Sequence, residues 1–182
     1  VPDNNDAGDT LTFTITATDE DGNQGSAEYT LFVEPASGDI NTYTQILLNN
    51  NFSNTQSSFY DAVGDNIYDN LSTARDNAAR VDFIHILRNA DSGGRQISSP
   101  DSDNAESGYG DTVANDDALP NWSTLNETRF KKITLSETDF NAINNDAPIV
   151  AETAAGVTET DATNLAQGDA FAFRTNGGKL GI

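Results

Sequence analysis

Reactive chemistry in this chain has few residue types to draw on. It has one histidine, no cysteine and no methionine, while Asp and Glu number 29 against nine Lys and Arg. Thiolate nucleophiles and thiolate metal sites are excluded. A Ser-His-Asp arrangement would have to use His85. That residue falls in Val81–Arg88 on the face it shares with Val81, Phe83 and Leu87, where a histidine reads as a hydrogen-bonded sheet residue. No Gly-Lys-Ser/Thr phosphate loop and no His-Glu-x-x-His pair occurs. The many carboxylates could supply an acid/base pair for glycoside chemistry only if a cleft held two of them at the right separation, and no spacing here encodes one. The expectation is a protein without catalytic residues, not an enzyme.

Calcium is the cofactor that the carboxylates suit best, because it takes several oxygen ligands from acidic side chains and backbone carbonyls. Asp19-Glu20-Asp21-Gly22-Asn23 and Asp101-Ser102-Asp103-Asn104-Ala105-Glu106 each place carboxylates two residues apart on a turn. Asp19, Asp21, Asp101 and Asp103 are the expected ligands. Neither stretch continues into the glutamate-terminated loop of an EF-hand, so an ordinary acidic turn is the competing reading. Trp122, which follows Pro120 and Asn121, and Tyr109 are candidates for stacking on sugar rings; a core position is the alternative for the tryptophan. Asp9-Thr10-Leu11 and Asp111-Thr112-Val113 resemble the Asp-Ser/Thr-aliphatic acceptor that some bacterial surface proteins use for O-glycans, which makes Thr10 and Thr112 the expected glycosylation sites.

The elements that must carry these groups are mostly strands. From Thr10 to Thr18, Leu11, Phe13, Ile15 and Ala17 alternate strictly with threonines, the period-two pattern of a half-buried strand. Asp19–Asn23 supplies turn chemistry, and Glu28–Val33 is the returning strand. Two strands cannot bury a core alone, so something must cover Leu11, Phe13 and Ile15. Glu34–Asp39 reads as a linker. Beyond it, strands are expected at Ile40–Leu48, Ser57–Tyr60, Val81–Arg88 and Thr128–Leu135, and again at Asp169–Thr175, where an Asn176-Gly177-Gly178 turn leads to a partner at Lys179–Ile182. Asn70–Ala79 fits one or two helical turns with Ser72 as a cap, and Ser136-Glu-Thr-Asp139 opens a short helix through Ile143. Gly93–Val113, rich in Ser, Asp and Gly, reads as a long loop.

Charge narrows the partners. A net charge of −20 and a pI near 4.1 repel nucleic acid and anionic membranes. Mean hydropathy is −0.53, and no apolar run approaches the roughly 20 residues of a membrane span. The absence of both oxidisable sulfur side chains suits life outside the cell. The first residue is valine, which reads as a processed or excised piece.

Leu11-Thr-Phe-Thr-Ile-Thr-Ala-Thr-Asp-Glu-Asp-Gly-Asn followed by Ala27-Glu-Tyr-Thr-Leu-Phe-Val resembles the last two strands of bacterial immunoglobulin-like and cadherin-like repeats. The earlier strands of such a repeat are missing. The remainder resembles the C-terminal modules of multi-domain bacterial surface proteins, through Arg80-Val-Asp-Phe-Ile-His-Ile, Ile97-Ser-Ser-Pro, Trp122 with Asn126-Glu-Thr-Arg-Phe-Lys, Ser136-Glu-Thr-Asp-Phe, and Gly168-Asp-Ala-Phe-Ala-Phe-Arg-Thr with Gly178-Lys-Leu-Gly-Ile. The resemblance implies location and architecture and supplies no chemistry. The expected fold is all-β: a β-sandwich module over 37–182 with one or two short helices, preceded by a partial immunoglobulin-like β-hairpin over 1–36. The expected role is a non-catalytic structural or adhesive module of a secreted or cell-surface fibre protein, rigidified by calcium. A carbohydrate-binding module using Trp122 is the alternative. Expected partners are other domains of the parent chain or neighbouring subunits, together with glycans.

Overall fold

A computed structural model describes residues 10–32, 38–49, 58–89, 91, 93–110 and 116–182. The chain divides into two compact units, Val1–Asp39 and Ile40–Ile182, where the sequence suggested a boundary at 36/37.

In the first unit, β1 (Thr10–Thr18) pairs antiparallel with β2 (Gln24–Phe32). The acidic turn between them is held by Asp19, whose carboxylate accepts from the backbone N–H of Asp21 at 3.0 Å and of Asn23 at 2.8 Å. The register sets Phe13 opposite Tyr29 and Ile15 opposite Ala27, so these residues share one face. Thr12, Thr14 and Thr16 share the other with Thr30, Glu28 and Ser26. The apolar face is open to solvent: Phe13 is 49% exposed, Ile15 57% and Tyr29 61%.

The second unit contains β3 (Phe59–Asp61), β4 (Asn66–Tyr68), α1 (Leu71–Asp76), β5 (Phe83–Leu87), β6 (Arg95–Ser98), α2 (Asp103–Tyr109), β7 (Arg129–Ile133), α3 (Glu137–Asn141), α4 (Ala147–Ala154), β8 (Asp161–Ala162), β9 (Ala170–Arg174) and β10 (Leu180–Gly181). The strands form a five-stranded sheet, β4-β3-β5-β6-β8, and a three-stranded sheet, β10-β9-β7, both antiparallel. The chain is thus β-rich, with a few short helices.

Strand β5 is the hinge of the packing because it is apolar on both faces. Ile84 and Ile86 point to one side, into a core with Phe59, Leu119 and Trp122 that α1 and α2 close with Ala74, Ala105 and Tyr109. Phe83 points to the other side, where its ring meets Tyr60 at 5.7 Å, Phe130 at 5.7 Å and Phe173 at 4.9 Å. Phe130 and Phe173 belong to the three-stranded sheet, so this aromatic cluster joins the two sheets. Glycine is required at Gly181 in β10, since a Cβ there would land on the Phe173 ring. Ile133 and Ala172, on the small sheet's other face, form a third cluster with Val157, and α4 packs against β9 and β10.

Several local expectations change. Residues 40–49 form no strand, although they carry Ile40, Ile46, Leu47 and Leu48. Gln45 adopts φ 60°, a left-handed conformation that interrupts extended backbone. The stretch expected as one long loop contains β6 and α2. The cap of α1 is Asn70 rather than Ser72: Asn70 Oδ1 accepts from the Thr73 N–H at 2.9 Å. Ser136 caps α3 as expected, accepting from Asp139 N–H, but the helix ends at Asn141. Helix α4, with Pro148 in its first turn, was not expected.

Candidate functional site

Two corners of the second unit hold networks of buried polar side chains. The first lies where β3 ends and β5 begins. Asp61 is 2% exposed and Asp82 6% exposed. A buried carboxylate needs several donors to offset its lost hydration, and Asp61 has them. It accepts from Val63 N–H at 3.1 Å, from Gly64 N–H at 2.7 Å, and from Arg80 Nε at 2.9 Å and Nη2 at 2.8 Å. Gly64 is required by this arrangement: a Cβ there would fall 2.5 Å from Asp61 Oδ2 and 2.6 Å from Arg80 Nη2, both tied into the ion pair.

Asp82 is less well served. Its Oδ2 accepts from Ala62 N–H at 2.9 Å. Burial, reinforced by the charge of Asp61, pushes its carboxyl up from 3.8 to about 6. Tyr60 donates its hydroxyl to Asp65 at 2.8 Å. Burial first, and then that hydrogen bond, push its phenol well above the usual range.

The second corner ties β6 to β7. Arg129 grips Asp101 with both nitrogens, Nη1 to Oδ1 at 2.9 Å and Nη2 to Oδ2 at 2.8 Å. The buried Ser99 hydroxyl accepts from Thr128 N–H at 2.9 Å and lies against Asp101. Asn126 donates to the carbonyls of Ala79 at 3.1 Å and Val81 at 2.9 Å. The corner therefore links the five-stranded sheet to the strand that opens the small one. Lysine cannot reproduce the two-pronged geometry. Arg129→Lys is accordingly expected to lower stability by about 1 kcal/mol, read as a lower urea midpoint with an unchanged slope.

The expected metal ligands lie two in each unit. Asp101 is committed to Arg129, and Asp103 is the exposed first residue of α2. In the first acidic turn, Asp19 also accepts from Asn23 Nδ2 at 2.9 Å, the hydrogen bond that contributes most to holding its carboxyl below the usual value. Asp21 is exposed on the same turn. Among the described residues, no three His, Asp or Glu side chains are grouped to hold a metal ion. A ligand that binds only the folded state raises its melting temperature. Melts in excess chelator and in millimolar calcium therefore test the calcium expectation: an upward shift supports it, and coincident midpoints count against it.

The two aromatic candidates are core residues. Trp122 is 7% exposed, its ring 5.7 Å from that of Phe59, and its Nε1–H donates to the Asp117 carbonyl at 2.9 Å. Tyr109 is 8% exposed and packs in the same cluster, its ring 4.9 Å from that of Phe59. Burial pushes its phenol up to about 12. The structure brings these two together around Phe59 and leaves neither ring face open for a sugar. His85 Nδ1 lies 2.6 Å from the Asn49 carbonyl, the place of a structural hydrogen bond. Thr10 begins β1, opposite Phe32 in the register. Thr112 lies outside the described residues.

Sequence reasoning missed Asp61, Arg80, Asp82 and Arg129. One signal was available: Asp82 stands inside the most apolar segment of the chain, between Val81 and Phe83, where a carboxylate must find partners.

No family model matches the chain, and no curated protein matches it. Among solved structures, it is similar to a DUF4466 family protein from Parabacteroides merdae, with 15% identity and a TM-score of 0.42. That match covers 96% of this chain, which spans 56% of the other protein's length.

Proposed function

We propose that this chain is a non-catalytic structural or adhesive module of an extracellular bacterial surface or fibre assembly, in which copies associate through the apolar face of the β1–β2 pair. In this reading the second unit is a β-sandwich, and the first is an immunoglobulin-like hairpin. The observation that carries the proposal is the exposure of Phe13, Ile15 and Tyr29 on one face of a two-stranded sheet whose other face is threonine-rich. A soluble surface rarely leaves such residues adjacent and open unless something docks on them. The internal commitments of Asp61, Asp101, Arg129 and Trp122 fit a module whose polar and aromatic groups serve the fold. Negative charge and the lack of sulfur side chains suit an extracellular setting.

Electron microscopy of concentrated protein at raised ionic strength tests the reading. Ordered assemblies are expected from the unmodified chain and not from a Phe13→Thr, Tyr29→Thr double variant. Dispersed single particles from the unmodified chain would remove it.

A further inference from the structure

The turn that joins β9 to β10 carries chemistry that the structural role does not use. We propose that Asn176 is a site of spontaneous deamidation, at which the backbone nitrogen of Gly177 attacks the Asn176 side chain. The N–Cγ bond formed closes a succinimide, and the side-chain nitrogen leaves as ammonia. Water then opens the ring at either carbonyl, giving aspartate or, with one extra carbon in the backbone, isoaspartate.

Three observations converge on this residue. Asn176-Gly177 is the one Asn-Gly step in the sequence, and glycine offers no side chain to obstruct the approach. Both residues are exposed, and a Cβ at Gly177 would meet nothing nearer than Thr175 Oγ1 at 3.9 Å. Two of the turn's amides are engaged: Gly178 N–H donates to the Thr175 carbonyl at 2.9 Å, and Lys179 N–H to Thr175 Oγ1 at 3.1 Å. The Gly177 N–H has no acceptor among the described residues, so the attacking nitrogen gives up no hydrogen bond. The Asp21-Gly22 step provides the contrast. There the glycine N–H donates to the Asp19 carbonyl at 3.1 Å, which holds the nitrogen away from the reaction.

The modification acts on the fold next to it. Thr175 N–H donates to the Lys179 carbonyl at 2.8 Å, and this bond sets the register that places Gly181 opposite Phe173. An extra backbone carbon inside the turn lengthens it and loosens β10 over the Phe173 ring, which belongs to the cluster joining the two sheets. Ageing would therefore weaken the C-terminal edge of the module first.

Incubation of the folded protein at mildly alkaline pH, followed by anion exchange and peptide mapping with electron-transfer fragmentation, tests the proposal. One more acidic species should accumulate, its mass change mapping to residue 176 with isoaspartate exceeding aspartate. Gly177→Ala should slow the conversion severalfold, and Asn176→Ser should abolish it. Amide hydrogen exchange in the isolated isoaspartate form should rise at Phe173 and Thr175. Conversion that appears first at another asparagine would overturn the site. So would an intact residue 176 after a peptide spanning 170–182 has converted in the same buffer. Unchanged exchange in β9 and β10 would overturn the structural consequence.

Discussion

Phe83→Ala is expected to destabilise the protein by about 3–5 kcal/mol, the range found when a large buried aromatic is truncated and its cavity cannot collapse. Phe83 is 6% exposed and touches three rings, Tyr60 on its own sheet and Phe130 and Phe173 on the other. Collapse is resisted because these partners stand on two rigid sheets, so most of the vacated volume stays empty. Edge-to-face contacts with Phe130 and Phe173 are lost as well, and such pairs add about 0.5–1.5 kcal/mol beyond burial. Chemical denaturation monitored by circular dichroism reads the loss. The cost should exceed that of Phe140→Ala, because Phe140 is 44% exposed on α3. Equal costs for the two variants would mean that the sheets are held together elsewhere.

The second large effect has the opposite sign. Asp82 holds its proton in the fold up to about pH 6, against an ordinary carboxylate value of 3.8. The folded state thus binds this proton more tightly than the unfolded chain does. The stability this confers is fully present below pH 3.8 and is lost as pH rises through 6. At pH 8 the buried charge costs about 2–3 kcal/mol by the usual conversion of a pKa difference. Asp82→Asn keeps the shape and an oxygen to accept from Ala62 N–H, and it removes the charge. It should raise the melting temperature at pH 8, with the advantage shrinking through pH 6 and gone by pH 4. A variant less stable at every pH would show that Asp82 serves as a needed ionised partner.

Much of the scaffold was legible because it obeys simple periodicity. The apolar run of β5 and the β7 and β9 strands follow from side chains whose burial matches their polarity, and the Ser136 cap from local hydrogen bonding; the β1 alternation gave the strand, but its apolar face, expected half-buried, stays exposed. The misreadings occur where that match fails. Strand β6 buries Gln96 completely, with the amide nitrogen donating to Ser98 Oγ at 3.0 Å, so its sequence looks like loop. Helix α2 rests on two buried side chains, Ala105 and Tyr109, spaced by four and capped by Ser102; short and glycine-containing, it offers little pattern. Residues 40–49 show the converse, a stretch with four apolar residues that forms no strand and holds one left-handed residue, Gln45.

The candidate site was less legible than the fold. Asp101 looked like half of a calcium turn because its neighbours in sequence are acidic, yet its partner, Arg129, lies 28 residues further on. Trp122 looked like a loop aromatic and does follow a 3-10 turn, Leu119–Asn121, but its ring turns inward onto Phe59. In both cases the deciding contact is long-range in sequence, and spacing along the chain carries no record of it.

Sedimentation velocity across a concentration series, at low and at high salt, tests the proposed assembly role most directly. With a net charge of −20, copies repel one another until salt screens them. The expected result is mass that grows with concentration and more steeply at high salt, abolished by the Phe13→Thr, Tyr29→Thr double variant. A monomer at every concentration and salt, identical in the unmodified chain and the variant, would contradict it.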